Sequence, residues 1–222
     1  FYYAFTASGT FTRPPGYSGF RVMACGGGGG GRRDTTGGNC FGGGGGAGID
    51  IIMPSSLLSA SESITIGAGG AGQQVTANGN NAGDTVVFGL TLGGGMGGTA
   101  AAGGGGAAIA DTTRLSVTVN IATSGGGWFG GASALVSGGG TAAWKYSVFG
   151  GGAGGSWYGG AVIRYGDSIF CGKGGASLGT GGANAGDGTI PGGGGGGNGT
   201  TTAGTWRAGN GARGEVRIWG VI

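Results

Sequence analysis

Two spacing rules divide this chain. Over residues 20–25, Phe20, Val22 and Ala24 fall on one face and Arg21, Met23 and Cys25 on the other, which is the period of a half-buried strand. The same period returns at the far end, where Val216 and Ile218 alternate with Glu215, Arg217 and Trp219; the two segments are expected to pair in one small β layer. Residues 115–121 repeat it with Leu115, Val117, Val119 and Ile121. The β-branched runs 49–53 and 63–66, bounded by Pro54 and Gly67, read as a further pair of strands joined through 54–62. Residues 1–11 carry Phe and Tyr in strand-like spacing, and Arg13-Pro14-Pro15-Gly16 reads as the turn that follows.

Between these segments the alternation disappears into glycine. Residues 26–31 and 192–197 are each six consecutive glycines. In a helix or sheet each would cost about 0.5–1 kcal/mol relative to alanine and bury no side chain. The ordered alternative is polyglycine II, an extended helix of three residues per turn and about 3.1 Å rise with no internal hydrogen bonds. Its amides and carbonyls must then be satisfied sideways, by neighbouring rods. Gly26, Gly28, Gly31, Gly192, Gly194 and Gly197 are expected to mark two central rods. In the interrupted runs the non-glycines recur three residues apart: Ala68 and Ala71, Met96 and Thr99, Ala153 and Ser156, Lys173 and Ala176, Thr180 and Ala183. That spacing gives a peripheral rod one exposed edge. The expected fold is mostly irregular and all-β, a single glycine-rich domain over 1–222. In it a small β layer (1–25 and 215–222) joins a bundle of polyglycine II helices, strands and loops (26–214).

Composition narrows the function. The chain has 69 glycines in 222 residues but four prolines and no Gly-X-Y register, which excludes collagen. With 9% charged and 9% aromatic residues it reads as folded rather than disordered. A net charge of +3, with only Arg32 and Arg33 adjacent, supplies no basic face for nucleic acid. No apolar run reaches the roughly 18–20 residues of a membrane span. Cys25, Cys40 and Cys171 are odd in number and lack CxxC spacing; a disulfide is left open, and three free thiols would suit a reducing cytoplasm.

No enzyme, metal or cofactor is expected. The absence of histidine removes the commonest metal ligand together with the usual general base. Asp34, Asp50, Glu62, Asp84, Asp111, Asp167, Asp187 and Glu215 stand singly, with no sequence pattern to pair two of them as a glycosidase requires. Residues 166–173 imitate a phosphate loop, but five residues separate the glycines and Gly174 stands where Ser or Thr must hold magnesium. A calcium-binding nonapeptide is approached at 181–187 and missed.

Several segments together resemble a known family. They are Gly9-Thr-Phe-Thr-Arg-Pro-Pro-Gly16, the glycines 26–31, Ser63-Ile-Thr-Ile-Gly-Ala-Gly-Gly-Ala-Gly72, Asn81-Ala-Gly-Asp-Thr85 leading to Phe88-Gly89, and Gly214-Glu-Val-Arg-Ile218. The pattern resembles the glycine-rich C-terminal domain of bacteriophage tail fibres. It is also similar to the tip adhesins of T-even-like phages, in which polyglycine II rods carry variable loops to the cell surface. The separate docking segment of those adhesins is not found here, so the form in which the domain is the covalent end of the fibre fits better. The resemblance implies a receptor-binding module at the distal end of a virion's tail fibre, synthesised in the host cytoplasm. Its implied partners are a bacterial outer-membrane protein or surface polysaccharide and the rest of the fibre. It also implies a homotrimer, with Phe1, Tyr2, Tyr3 and Phe5 at the axis of a continuing shaft.

Rods almost without side chains cannot recognise a ligand, so specificity is expected in the loops. Nine of the chain's twenty aromatics lie between 128 and 170. Trp and Tyr give large contact area at small entropic cost. Trp128, Phe129, Trp144, Tyr146, Trp157, Tyr158 and Tyr165, with Arg32 and Arg33, are therefore the candidate receptor-binding residues. Each aromatic has the alternative of packing over the flank of the bundle. Counting rods out and back places loops 32–41 and 73–78 at the distal end and the strands near Ile51, Ile64 and Val86 at the proximal end. The aromatic stretches 128–134, 144–149 and 157–165 are assigned to the distal end as well. Two other functions remain: ice binding along regular Ala and Thr edges, and a structural extracellular glycine-rich protein.

Overall fold

The alternation at residues 19–25 becomes the centre of a sheet. A computed structural model describes residues 1–101, 108–109, 146–147, 151–152, 154–158, 161–163, 166–179, 183–201 and 205–222. Its strands are β1 (Tyr2–Phe5), β2 (Gly9–Thr12), β3 (Gly19–Cys25), β4 (Gly48–Pro54), β5 (Ser61–Ile64), β6 (Thr85–Val87), β7 (Leu90–Leu92), β8 (Ala108–Ile109), β9 (Tyr146–Ser147), β10 (Ser156–Tyr158), β11 (Ala161–Ile163), β12 (Asp167–Ser168) and β13 (Glu215–Val221). The only helical turn among the described residues is the 3-10 turn Ser55–Leu57. The protein is all-β and irregular, built of small sheets that are antiparallel except for the β9–β12 pair.

The largest sheet has the order β1-β13-β3-β4, all antiparallel. β13 lies against β3 with Val216 opposite Ala24 and Ile218 opposite Val22, so the alternating apolar sets of both strands share one face. Phe20, Val22, Val216 and Ile218 are fully buried there, with Phe5, Phe11, Met53, Ile64, Val87 and Leu92. Phe5 thus belongs to this chain's own core, whereas Phe1, Tyr2 and Tyr3 are about half exposed. The expected pairing of 49–53 with 63–66 is corrected. The seven residues of β4 match the seven of β3, while β5 takes β2, whose Phe11 enters the core. β6 and β7 form a hairpin through Phe88 (φ 51°) and Gly89 (φ 76°), the two positive-φ positions of a tight antiparallel turn. The Phe88 side chain is buried against Phe11, with ring centroids 5.2 Å apart. Residues 115–121 lie outside the described residues.

From this sheet the glycine segments run out and back. Residues 26–31 leave the end of β3, and each successive amide donates to a different neighbour. Gly26 and Gly29 donate to Ala47 and Gly44, Gly27 and Gly30 to Gly83 and Asn80, and Gly28 and Gly31 to Ala212 and Gly209. Their carbonyls accept from three further segments: Gly27 from Gly95, Gly28 from Gly70, and Gly29 from Gly195. The segment therefore has partners on six sides and recurs to each after three residues, where a strand would alternate between two. Residues 192–197 repeat the arrangement. Gly195, Gly196 and Gly194 donate to Gly29, Gly186 and Gly152, while Gly43, Gly175 and Gly209 donate back to Gly195, Gly194 and Gly196. Nothing but hydrogen fits at the α-carbons inside. A Cβ at Gly26 would stand 2.5 Å from the Gly93 carbonyl oxygen, and one at Gly28 or Gly31 would fall on the carbonyl of Gly193 or Gly196.

The boundary of this array has its own chemistry. Ala68, Ala71, Met96, Lys173 and Ala176 are exposed on outer edges, in the three-residue spacing noted above. A repeated tetrapeptide, Asn-Ala-Gly-Asp, closes two other edges. Asn81 and Asp84 accept the amides of Gly97 and Gly94, and Asn184 and Asp187 accept those of Arg207 and Asn210, all at 2.7–2.8 Å. Side-chain oxygens three residues apart thus stand in for the carbonyls of a missing neighbour, which satisfies donors that would otherwise face outward. Asp187 also holds Arg207 through two bonds of 2.7 and 2.9 Å.

Asp187→Ala is expected to destabilise the chain by about 1 kcal/mol, because it removes the acceptor of one amide and the ion-pair partner of a guanidinium at a partly exposed site. The Arg207 bond, then the Asn210 amide, hold the Asp187 carboxyl below its ordinary value of 3.8 against the opposing effect of burial. Its contribution is therefore complete above that ordinary value and disappears as pH falls through the lower, folded one. Thermal melts from about pH 7 to about pH 2.5 check this. The acid-side fall in melting temperature should be shallower in Asp187→Asn than in the parent; parallel curves would remove Asp187 from the account.

The cysteines answer a point the sequence left open. Cys25, at the end of β3, is disulfide-bonded to Cys171, 146 residues away, with their Cα atoms 6.5 Å apart. Cys40 is free and buried, and burial, reinforced by the nearby Asp34 charge, pushes its thiol up to about 12.

Candidate functional site

The four-stranded sheet occupies one end of the array and a cluster of loops the other. Directions follow from the pairings: Gly26 bonds to Ala47 near the sheet, and Arg32 to Phe41 at the far end. At that far end Arg33 forms backbone bridges to Ala77 and to Asn198, so loops 32–41 and 73–78 meet the stretch after residue 197. The Thr35 amide donates to Thr76 Oγ1 at 3.0 Å, and the two hydroxyls lie 2.8 Å apart. A Cβ at Gly37, whose φ is +81°, would stand 2.9 Å from the Thr201 methyl. Trp157 pairs with Cys40 through mutual backbone bonds of 2.8 Å, which brings β10 to the same end.

Inside this cluster the charged groups brace the loops. Arg32 donates to Asn78 Oδ1 at 2.7 Å, to Asp34 Oδ2 at 3.0 Å and to the Asn39 carbonyl at 3.3 Å. Asp34, almost fully buried, also accepts from the Thr36 amide at 2.8 Å and hydroxyl at 2.6 Å. Burial pushes the Asp34 carboxyl up, but the bonds from Thr36, Arg32 and Gly38 together hold it below its ordinary value. It is an anion used internally. Asn198, fully buried, donates to the carbonyls of Ala183 and Arg207 and accepts the Thr200 amide, locking the next loop.

The sequence-derived site residues scatter. Arg32 is partly exposed and tied into the brace. Arg33 is 2% exposed, so its side chain belongs to the interior. Trp157 is 8% exposed, its indole filling slots where Gly179 and Gly199 carry no Cβ; a Cβ at either would fall on the ring. The assignment of 144–149 to the distal end is corrected for its described part. The backbone of Tyr146 pairs with Asp167, and β12 leads into Cys171 and so to Cys25 at the sheet end. Gly151 bonds to Gly46 near the sheet and Gly154 to Gly43 further out, so the chain runs outward from 151 to 154. Tyr158 pairs with Ala161 in the β10–β11 hairpin. Trp128, Phe129, Trp144 and Tyr165 lie outside the described residues. What sequence reasoning missed are the exposed Thr35, Thr36, Val75, Thr76 and Thr201, the last immediately after the second hexaglycine and its buried Asn198.

A backbone-bonded interior between a sheet end and a loop end defines a glycine-rich scaffold protein. The particular class follows from comparison: the chain belongs to the glycine-rich domain family, whose model matches residues 6–219. No curated protein matches it.

Proposed function

We propose that this chain is the receptor-binding tip of a bacteriophage tail fibre, an adhesin with no catalytic role. In this reading the glycine segments are polyglycine II helices in hexagonal packing. The threefold recurrence of lateral bonds around residues 26–31 supports that geometry, since each helix turn of three residues returns to the same neighbour. The single observation that carries the functional reading is the convergence of loops 32–41, 73–78 and 198–201 at the end opposite the sheet. A rigid, chemically silent body that gathers variable side chains at one extremity suits display to a cell surface. The sheet end would then join the rest of the fibre, with the homotrimer formed there. The receptor would be a bacterial outer-membrane protein or a surface polysaccharide.

The test is binding of the fluorescently labelled chain to a panel of bacterial strains. Saturable binding to a subset, lost when loop 73–78 is replaced by glycine and serine in a variant that melts like the parent, is the expected result. Uniform absence of binding would sink the adhesin reading. Trp157 is unsuitable as the probe, because truncating a buried indole would unfold the loop end.

A further inference from the structure

We infer that the described loop end recognises an uncharged carbohydrate, through threonine hydroxyls and one apolar contact; this rests on the adhesin reading. Charge is withdrawn from the surface here. Among the described residues of the converging loops, Arg32 and Asp34 neutralise each other and Arg33 is buried. What remains outward is Thr35, Thr36, Thr76 and Thr201, with Val75 at 64% exposure.

The Thr35–Thr76 pair is held across two loops, and Thr76 Oγ1 already accepts the Thr35 amide. Whichever hydroxyl donates to the other, one O–H and further lone pairs remain for a ligand. Hydroxyls that both donate and accept are matched by the vicinal hydroxyls of a sugar. Val75, between Gln74 and Thr76, offers an apolar spot for a pyranose face. Protein receptors are gripped mainly by Trp, Tyr and Arg anchors, and none of the exposed side chains named here is of that kind. An anionic glycan would need a free cation, and among the described residues of these loops Arg32 is already held by Asp34.

The experiment uses the intact chain and a strain to which it binds. Binding is measured on untreated cells, on cells whose surface carbohydrate has been oxidised with periodate, and on cells shaved with protease. It is repeated across about 50 to 500 mM NaCl, where exposed charge interactions are progressively screened. The expected result is loss after periodate, retention after protease, and affinity independent of salt. Thr35→Val/Thr76→Val, which keeps shape and removes the hydroxyls, should weaken binding by about ten-fold or more with an unchanged melt.

Binding that survives periodate but not protease would overturn the inference in favour of a protein receptor while leaving the adhesin standing. Steep salt dependence, or full affinity in the double valine variant, would overturn it too. Failure to bind any strain would remove the reading beneath it. Should the double variant melt early, Val75→Asp supplies the second arm: a charge placed on an exposed loop position should abolish binding without affecting the melt, and undiminished binding would count against the site.

Discussion

Gly194→Val is expected to give no folded protein. The Gly194 amide donates to the Gly152 carbonyl and its own carbonyl accepts from Gly175, both at 2.8 Å, and a Cβ there would fall on the carbonyl of Gly43. All three neighbours are backbone, so no side chain can rotate away; the segments must separate and break bonds on several sides at once. A lesion of this kind belongs to the rare class costing more than about 4–5 kcal/mol, against a total stability of roughly 5–15 kcal/mol. Ala68→Val should by contrast stay within about 0.5 kcal/mol of the parent, since Ala68 lies on an exposed edge. Expression, circular dichroism and thermal melting of the two variants decide the matter. Equal tolerance at both positions would mean that residues 192–197 are not held as described.

Loss of the Cys25–Cys171 bond should have the second largest effect. The crosslink closes a separation of 146 residues, which in the chain-entropy account restricts the unfolded state by up to about 5 kcal/mol. For a domain of this size that corresponds to roughly 10–20 °C in melting temperature. It also ties the start of segment 172–178 to the end of β3, a segment otherwise held chiefly by backbone hydrogen bonds to other segments of the array. The comparison is a Cys25→Ser/Cys171→Ser double variant beside the parent, each melted with and without reductant. The parent should fall to the level of the double variant on reduction, and the variant should not respond. A parent indifferent to reductant would deny the bond a stabilising role.

The parts of the fold that could be read in the sequence are those governed by a local period. Alternation at 20–25 and 215–219 identified two strands that do pair, because a one-residue shift would have turned Val22 or Ile218 out of the core. The spacing of Ala68 and Ala71 corresponds to an exposed edge, in keeping with lateral partners that recur every three residues along 26–31. Partner choice was harder: the runs 49–53 and 63–66 are both rich in β-branched residues, and what separates their strands is that β4 matches β3 in length while β5 faces Phe11 of β2. The Asn-Ala-Gly-Asp repeats were visible as text, yet their role depends on which outer amides lack a neighbour, which no local window contains. Trp157 was misjudged for a related reason. Its exposure is decided by Gly179 and Gly199, more than twenty residues away along the chain. Of the candidate site, Arg33 and Trp157 are buried and the described residues of the converging loops expose threonines, while Trp128, Phe129, Trp144 and Tyr165 lie outside the described residues.

The backbone-bonded interior has a thermal consequence. The heat capacity of unfolding rises with apolar area exposed and falls with polar area exposed, and melting this array uncovers chiefly peptide groups, apart from the core beneath β3 and β13. Its heat-capacity increment per residue should therefore lie below the usual value of about 12–15 cal/mol/K. A small increment flattens the curve of free energy against temperature, so the molecule would lose little stability on cooling. Such a body would keep nearly the same rigidity in cold water as in warm.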